Sequence, residues 1–268
     1  MKLFAALLIV VAITVTGCLQ SFTTVSVHRN GTGHVVDTML VSSFLYEMMS
    51  SFSSVGDSGT AAPPALPWSD STIREKGSAL GPGVVLESWN LIEQDGMKGY
   101  VATYFVQNIN EISLKRDRSM DGAGFSNDEE STVTKPDPIT FRYENNTVVI
   151  NNPDPTPKNT SSKKEKSNDL RSSLSMMSTM LHNMRTNIRV AVDGPIISTN
   201  AEHAQGNMIM LMAVDFDKLV SAWQKDTALL SSFDDVKNGD MQTLRRTISK
   251  YPAGALVIDF NKEIKITF

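Results

Sequence analysis

The chain reads as an α+β fold, a mainly antiparallel sheet built from hairpins with helices packed on one face. Two observations predict it. Runs that alternate apolar and polar residues come in pairs around Asn30-Gly31, Asp95-Gly96 and Asn145-Asn146, the signature of strands joined by tight turns. Helical periodicity appears in separate segments between those pairs, and no repeat of solenoid length runs along the chain.

The elements follow in order. Phe22 to His28 and His34 to Val41 alternate on either side of Asn30-Gly31-Thr32-Gly33, a first hairpin. Phe44, Leu45, Met48, Met49 and Phe52 fall at helical spacing, so a short helix is expected from about Ser43 to Phe52. Residues 53–68 are rich in Ser, Gly, Ala and Pro and read as a loop, and a second short helix is expected over Asp70 to Ala79. Val84 to Leu91 and Tyr100 to Val106 make a second hairpin around Asp95-Gly96. Residues 116–138 read as a loop, and Ile139 to Tyr143 with Thr147 to Ile150 make a third hairpin.

Residues 153–168 hold three prolines and a Ser-Ser-Lys-Lys-Glu-Lys-Ser-Asn run, too polar to pack. Beyond them Leu170, Leu174, Met177, Leu181 and Met184 form a helical stripe. Ile188, Val190 and Val192 alternate as a half-buried strand, and Asp193-Gly194-Pro195 turns the chain. Asn207 to Val214 is apolar on both faces and belongs inside a sheet. Asp215 or Asp217 caps a helix through Trp223, and another runs from about Asp240 to Lys250 with Met241, Leu244 and Ile248 inward. Ala255 to Phe268 alternates to the end as one strand. The organisation is thus residues 1–17 as a signal peptide, 18–152 as a hairpin-rich α+β region, 153–168 as a disordered linker and 169–268 as a second α+β region. The two regions form two lobes or pack as one domain.

The N-terminus is the most informative segment. Lys2 precedes an apolar run from Leu3 to Val15, interrupted only by Thr14, and Val15-Thr16-Gly17-Cys18 closes it with the only cysteine in the chain. A thirteen-residue, almost wholly apolar stretch after a positive charge suits a secretory signal and is too short to span a bilayer of about 30 Å. The alternative, a buried N-terminal helix or strand, is disfavoured because the run is apolar on every face. The segment resembles the bacterial lipobox. That resemblance implies cleavage before Cys18, a diacylglycerol thioether on its sulfur and an acylated amino terminus. Two or more buried acyl chains anchor stably where one does not. Leu19 after the cysteine is consistent with outer-membrane sorting, on the periplasmic or surface face, if the cell is Gram-negative.

Without residues 1–17 the chain has 24 basic and 29 acidic side chains, a net charge of −5. That balance carries no broad electrostatic footprint for nucleic acid. With Cys18 acylated, no thiol remains for a disulfide, a thiolate metal site or a cysteine nucleophile.

Four groups of side chains invite a chemical reading. Asp117, Ser119, Asp121, Gly122 and Asp128 fall at positions 1, 3, 5, 6 and 12 of a calcium loop. Position 8 is Gly124 and position 12 is Asp rather than Glu, so a flexible acidic loop is the expected state and no cofactor is assigned. His28 and His34 flank the first turn and can start a zinc site, but a third ligand is needed and only Asp37 is near; exposed strand-end histidines are the plainer reading. His182 and His203 have no partner at motif spacing. Met176, Met177, Met180 and Met184 on a helix, and Met208, Met210 and Met212 on a strand, suit Cu(I) by chemistry but have the periodicity of core packing. No Gly-x-Ser-x-Gly, phosphate-loop or His-Glu-x-x-His motif is present.

Ile188 to Asn200 followed by Gly206-Asn207-Met208-Ile209-Met210-Leu211 resembles a pattern in bacterial surface lipoproteins of the LppM-like group. The first hairpin, Thr23-Val25-Val27 with Asn30-Gly31-Thr32-Gly33, is similar too. The resemblance implies a structural module associated with envelope glycolipid binding and carries over no binding residue. The expected function is a lipid-anchored, non-catalytic binding or assembly module of the cell envelope, with an envelope protein or amphiphile as partner. The alternatives are an envelope hydrolase with a non-motif site and a calcium-modulated surface module.

Overall fold

The structure is a computed structural model and describes residues 19–43, 46, 68–116, 137–153, 178, 181–229 and 241–268. Its strands in chain order are β1 (Leu19–Val27), β2 (Gly33–Ser42), β3 (Val84–Gln94), β4 (Met97–Val106), β5 (Ser113–Leu114), β6 (Ile139–Glu144), β7 (Thr147–Asn151), β8 (Arg185–Val192), β9 (Ser198–Thr199), β10 (Ala204–Gln205), β11 (Met208–Asp215), β12 (Leu256–Ile258) and β13 (Glu263–Thr267). They build two sheets. The larger runs β10-β11-β8-β1-β2-β4-β3, with β12 also paired to β11, and the smaller runs β5-β6-β7-β13-β9. Every pairing is antiparallel except β1 with β8. The α+β class with a mostly antiparallel sheet is therefore present, and the three expected hairpins are β1–β2, β3–β4 and β6–β7.

The turns form for local reasons. Gly31 in the first loop and Asp95-Gly96 in the second adopt left-handed backbone, with φ of 79°, 53° and 73°, conformations that Gly and Asp tolerate best. Asn145 and Asn146 do the same in the third, at 50° and 57°.

Alternation then sorts the faces. In β1 the buried side is Leu19, Ser21, Thr23, Val25 and Val27. This face of the large sheet packs on the inner face of the small one, where Leu114, Ile139, Phe141, Val148, Ile150, Ile264, Ile266 and Phe268 join Val25, Val35, Tyr104 and Val190 in one core. Helix α1 (Asp70–Ser78) adds to it. Ser69 Oγ accepts from Thr72 N at its start, Ile73 is buried, and Tyr104 Oη donates to the Ile73 carbonyl at 3.0 Å. Gly77 is needed for that approach, because a Cβ there would stand 2.7 Å from the Tyr104 ring.

Helix α3 (Met241–Ile248) buries Leu244 and Thr247, and helix α2 (Phe216–Lys225), capped by Asp215, packs in a second small core. Trp223 and Tyr251 lie in it, and Trp223 Nε1 donates to Tyr251 Oη at 2.9 Å.

One expectation is corrected. Residues 255–268 are two strands in different sheets, not one. Between them Asp259 is fully buried, its carboxylate accepting from Glu202 N at 2.7 Å and Asn261 N at 3.0 Å. Asn152 Nδ2 donates to the carbonyls of Asp259 and Asn261 at 2.9 and 3.1 Å. A buried backbone must have its polar groups paired, and these side chains pair it while the chain crosses from one sheet to the other.

Other expectations fall mainly on residues outside the described ones: the helix over 43–52 (Ser43 and Tyr46 alone are described, both helical), the loop over 116–138, the linker over 153–168 and the helix after Asp169, of which Ser178 and Leu181 are helical.

Two tests follow. Gly99 pairs with Leu40, and a Cβ on it would lie 1.8 Å from the Met39 carbonyl oxygen. Gly99→Ala is expected to lower unfolding free energy in urea by about 3 kcal/mol, against about 1 kcal/mol for Gly96→Ala, where the space is open and only the positive φ resists. At the start of α1, donation from Arg74 Nε and then from Trp89 Nε1 holds the Asp70 carboxyl below its ordinary 3.8. A lowered pKa means the tie between α1 and β3 is present above 3.8 and is lost as pH falls through the lower folded value. The Trp89 indole N–H resonance is expected to stay unchanged on acidification to 3.8 and to shift only below it, and to be displaced at all pH in Asp70→Asn.

Candidate functional site

The register fixes what stands side by side on the outer face of the large sheet. One row across the strands reads Val85, Phe105, His34, Ser26, Ala191 and Met208. The next reads Ser88, Thr103, Val36, Thr24, Arg189 and Met210. Two sites occupy this face.

The first is a chain of four ionisable side chains at the hairpin end. His28 N accepts nothing but donates to the Thr32 carbonyl at 2.9 Å, closing the loop that brings the two rings of His28 and His34 together. His28 Nε2 lies 2.9 Å from His34 Nδ1, with the rings edge-to-face at 80°. On the far side His28 Nδ1 meets both oxygens of Asp193 at 3.0 Å, and His34 Nε2 is 3.4 Å from Glu87 Oε2. Asp193 is held by its own N–H on the Val27 carbonyl and by Arg29 N–H on its carboxylate. Glu87 is placed by a bulge: β3 pairs Leu86 with Tyr104 and Ser88 with Thr103, leaving Glu87 as the extra residue, and bulges re-aim side chains in this way. Phe105 packs edge-on against His34, centroids 5.6 Å apart.

The second is a groove of about 550 Å³ over β8, β10, β11 and β12. Met208, Ile209, Met210 and Val257 give it an apolar lining, and Arg189, His203 and Gln205 the polar one. Arg189 Nε is buried and has no hydrogen-bond partner among the described residues. A buried N–H left unpaired costs about 1–3 kcal/mol, and an arginine donor is matched best by a carboxylate or phosphate oxygen.

The predicted residues divide accordingly. His28 and His34 meet directly, flanked by two residues that nothing in their spacing singled out, Asp193 and Glu87. The bend at Asp193-Gly194 was visible, and the apolar-Arg-apolar run Ile188-Arg189-Val190 was a signal for Arg189; nothing local marked Glu87. Asp37, the one nearby candidate for a third ligand, is on the opposite face. Its carboxylate is buried and accepts from Tyr100 Oη at 2.7 Å and Thr23 Oγ1 at 3.2 Å, while Lys76 Nζ donates to the same Tyr100 oxygen at 2.9 Å. The reason is parity: Asp37 is an odd number of residues from His34 on one strand, so the pleat separates them. The methionine stripe of β11 is also corrected. Ile209 and Leu211 are the core residues; Met208 and Met210 line the groove, and a bulge after Met210 turns Met212 partly into the core.

His182 Nδ1 pairs with Asp217 at 2.8 Å. The four ring nitrogens of His28 and His34 are in contact with each other or with the carboxylates of Asp193 and Glu87. Cys18 and the calcium-loop residues Asp117, Ser119, Asp121 and Asp128 lie outside the described residues. Among the described residues, no three His, Cys, Asp or Glu side chains converge to hold a metal, and no helix is long and apolar enough to cross a membrane.

No family model matches the chain, and no curated protein matches it. Among solved structures it is similar to the NMR structure of the folded domain of Mycobacterium tuberculosis LppM. The identity is 10% and the TM-score 0.30, over 73% of this chain and 81% of that one. No function is drawn from a likeness at this level.

Proposed function

We propose that this protein is a lipid-anchored, non-catalytic module of the cell envelope that binds an anionic amphiphile in the groove over β8 and β11. The observation that carries the reading is a groove of about 550 Å³ whose mostly apolar lining includes Arg189, a cation with a buried Nε that has no partner among the described residues. Ligand sites are concave, mostly apolar and carry a few oriented polar groups. Here methionine and valine side chains take an acyl chain, and Arg189 takes the acidic headgroup. Methionine adapts its shape to variable chains, which suits a binder of lipids better than a site for one rigid substrate. The helices α2 and α3, on the side of β11 and β12, complete an α+β body with helices on one face. The anchor is the diacylglyceryl group implied by the lipobox-like Val15-Thr16-Gly17-Cys18, and the localisation is the envelope membrane that this group enters.

Two measurements test the proposal. Intact-mass analysis of protein from its native envelope is expected to show a chain starting at Cys18 and carrying a diacylglyceryl mass; an unmodified Met1 start defeats the anchor. For the groove, the protein is captured on vesicles containing phosphatidylglycerol or phosphatidylcholine. Arg189→Gln is expected to weaken capture of the anionic lipid about tenfold, one charge-assisted bond, and Met210→Asp to weaken both lipids. Equal retention by wild type and both variants refutes the groove as the binding site.

A further inference from the structure

We infer that a cavity at the Cys18 end of the large sheet binds the zwitterionic headgroup of a bilayer phospholipid of the phosphoethanolamine type. The inference rests on the proposed anchor at Cys18 and uses neither the groove nor Arg189. The register places the cavity. Leu19, Val41, Lys98 and Glu93 stand in one row across β1, β2, β4 and β3. The row is on the inner face, where Leu19 and Val41 are core residues. It is also the first row after Cys18. Neighbouring strands lie about 4.8 Å apart, so Lys98, two strands over, stands about 10 Å from Leu19. An acyl group on Cys18 therefore brings this row to the membrane surface.

The lining chooses the ligand. Tyr46, Trp68, Leu91, Glu93 and Lys98 border a cavity of about 340 Å³, at the small end of the range for ligand pockets, about 300–1,000 Å³, and so sized for a headgroup. Glu93 and Lys98 are directly opposite one another across the strands, where opposite charges ordinarily pair. No ion pair joins them among the described residues. Lys98 Nζ lies instead over the Tyr46 ring, 5.3 Å from its centroid, and Glu93 has no hydrogen-bond or ion-pair partner among the described residues. One cation and one carboxylate thus border the same space without cancelling each other. A ligand carrying both signs satisfies both. Lys98 takes the phosphate as a point charge, and Glu93 accepts N–H bonds from the ammonium. A choline has no N–H to give Glu93, and a glycerol headgroup has no positive charge. The apolar walls suit the same place. Trp68 packs against Tyr46 with centroids 5.5 Å apart, and Leu91, 48% exposed, offers an apolar lip. Trp and Tyr favour the membrane–water boundary, where one side is apolar and the other wet.

The test titrates the full mature chain with water-soluble headgroups and follows the indole N–H resonances of its three tryptophans. Glycerophosphoethanolamine is expected to move the Trp68 resonance and to leave those of Trp89 and Trp223 in place. Its affinity is expected to exceed those of glycerol phosphate and glycerophosphocholine about tenfold, one hydrogen bond between charged groups. Glu93→Gln is expected to erase that preference, and Lys98→Gln to weaken all three headgroups about tenfold. An unmoved Trp68 resonance, or equal affinity of the wild type for the three headgroups, overturns the site; this arm needs no variant. Leucine, a free zwitterion, is expected to bind more weakly than glycerophosphoethanolamine, and tighter binding of leucine overturns the lipid as the source. Arg189→Gln is expected to leave every one of these affinities unchanged, and the titration does not require the lipid on Cys18. Failure of the groove or of the anchor is therefore read separately from failure of this cavity.

Discussion

The parallel ladder between β1 and β8 is the constraint on which the rest of the molecule depends. It pairs Gln20 through Val27 with Arg185 through Val192, joining chain segments separated by most of the sequence. Parallel strands need a crossover, and the crossover here contains β2 to β7. The ladder makes a single large sheet from an N-terminal pair of hairpins and the C-terminal strands β8, β10, β11 and β12. Its register also decides the faces. Val25 stands beside Val190 in the core and Thr24 beside Arg189 outside. A slip of one residue would bury Arg189 and expose Val190, which the loss of a core contact and an unpaired buried cation both forbid.

Both sites on the outer face are products of that register. Val27 is the last paired residue of β1, and its carbonyl receives the N–H of Asp193 just beyond β8. The carboxylate of Asp193 thereby arrives beside His28. On β8 itself, the β1–β8 register turns Arg189 outward beside Thr24, and the neighbouring β8–β11 ladder sets it next to Met210 at the groove. The sites share a scaffold without sharing residues.

What could be read from the sequence is what short-range physics controls. The hairpin turns at Gly31, Gly96 and Asn145-Asn146, the alternation of β1, β2, β4 and β8, and the cap of α2 all depend on neighbours within a few residues. The failures are long-range. Alternation over 255–268 is continuous in the sequence, yet the polar bonds of Asn152 and Glu202 to the Asp259–Asn261 turn break it between two sheets. The methionines of β11 have core spacing, but the bulge there trades faces in mid-strand. His28 and His34 were visible as a pair, while Glu87 and Asp193 reach them only through a bulge and a parallel ladder, neither of which leaves a local mark.

β1 begins at Leu19, immediately after Cys18, and Leu19 is already paired and buried. A lipid on Cys18 therefore has no slack chain between it and the sheet. Under the proposed anchor, motion of the acyl group passes directly into a paired strand. The nine residues of β1 span about 30 Å at about 3.3 Å each. His28 and His34 stand at the end of that strand away from Cys18, and Arg189 and Met208 of the groove fall in the rows of Thr24 and Ser26, toward the same end.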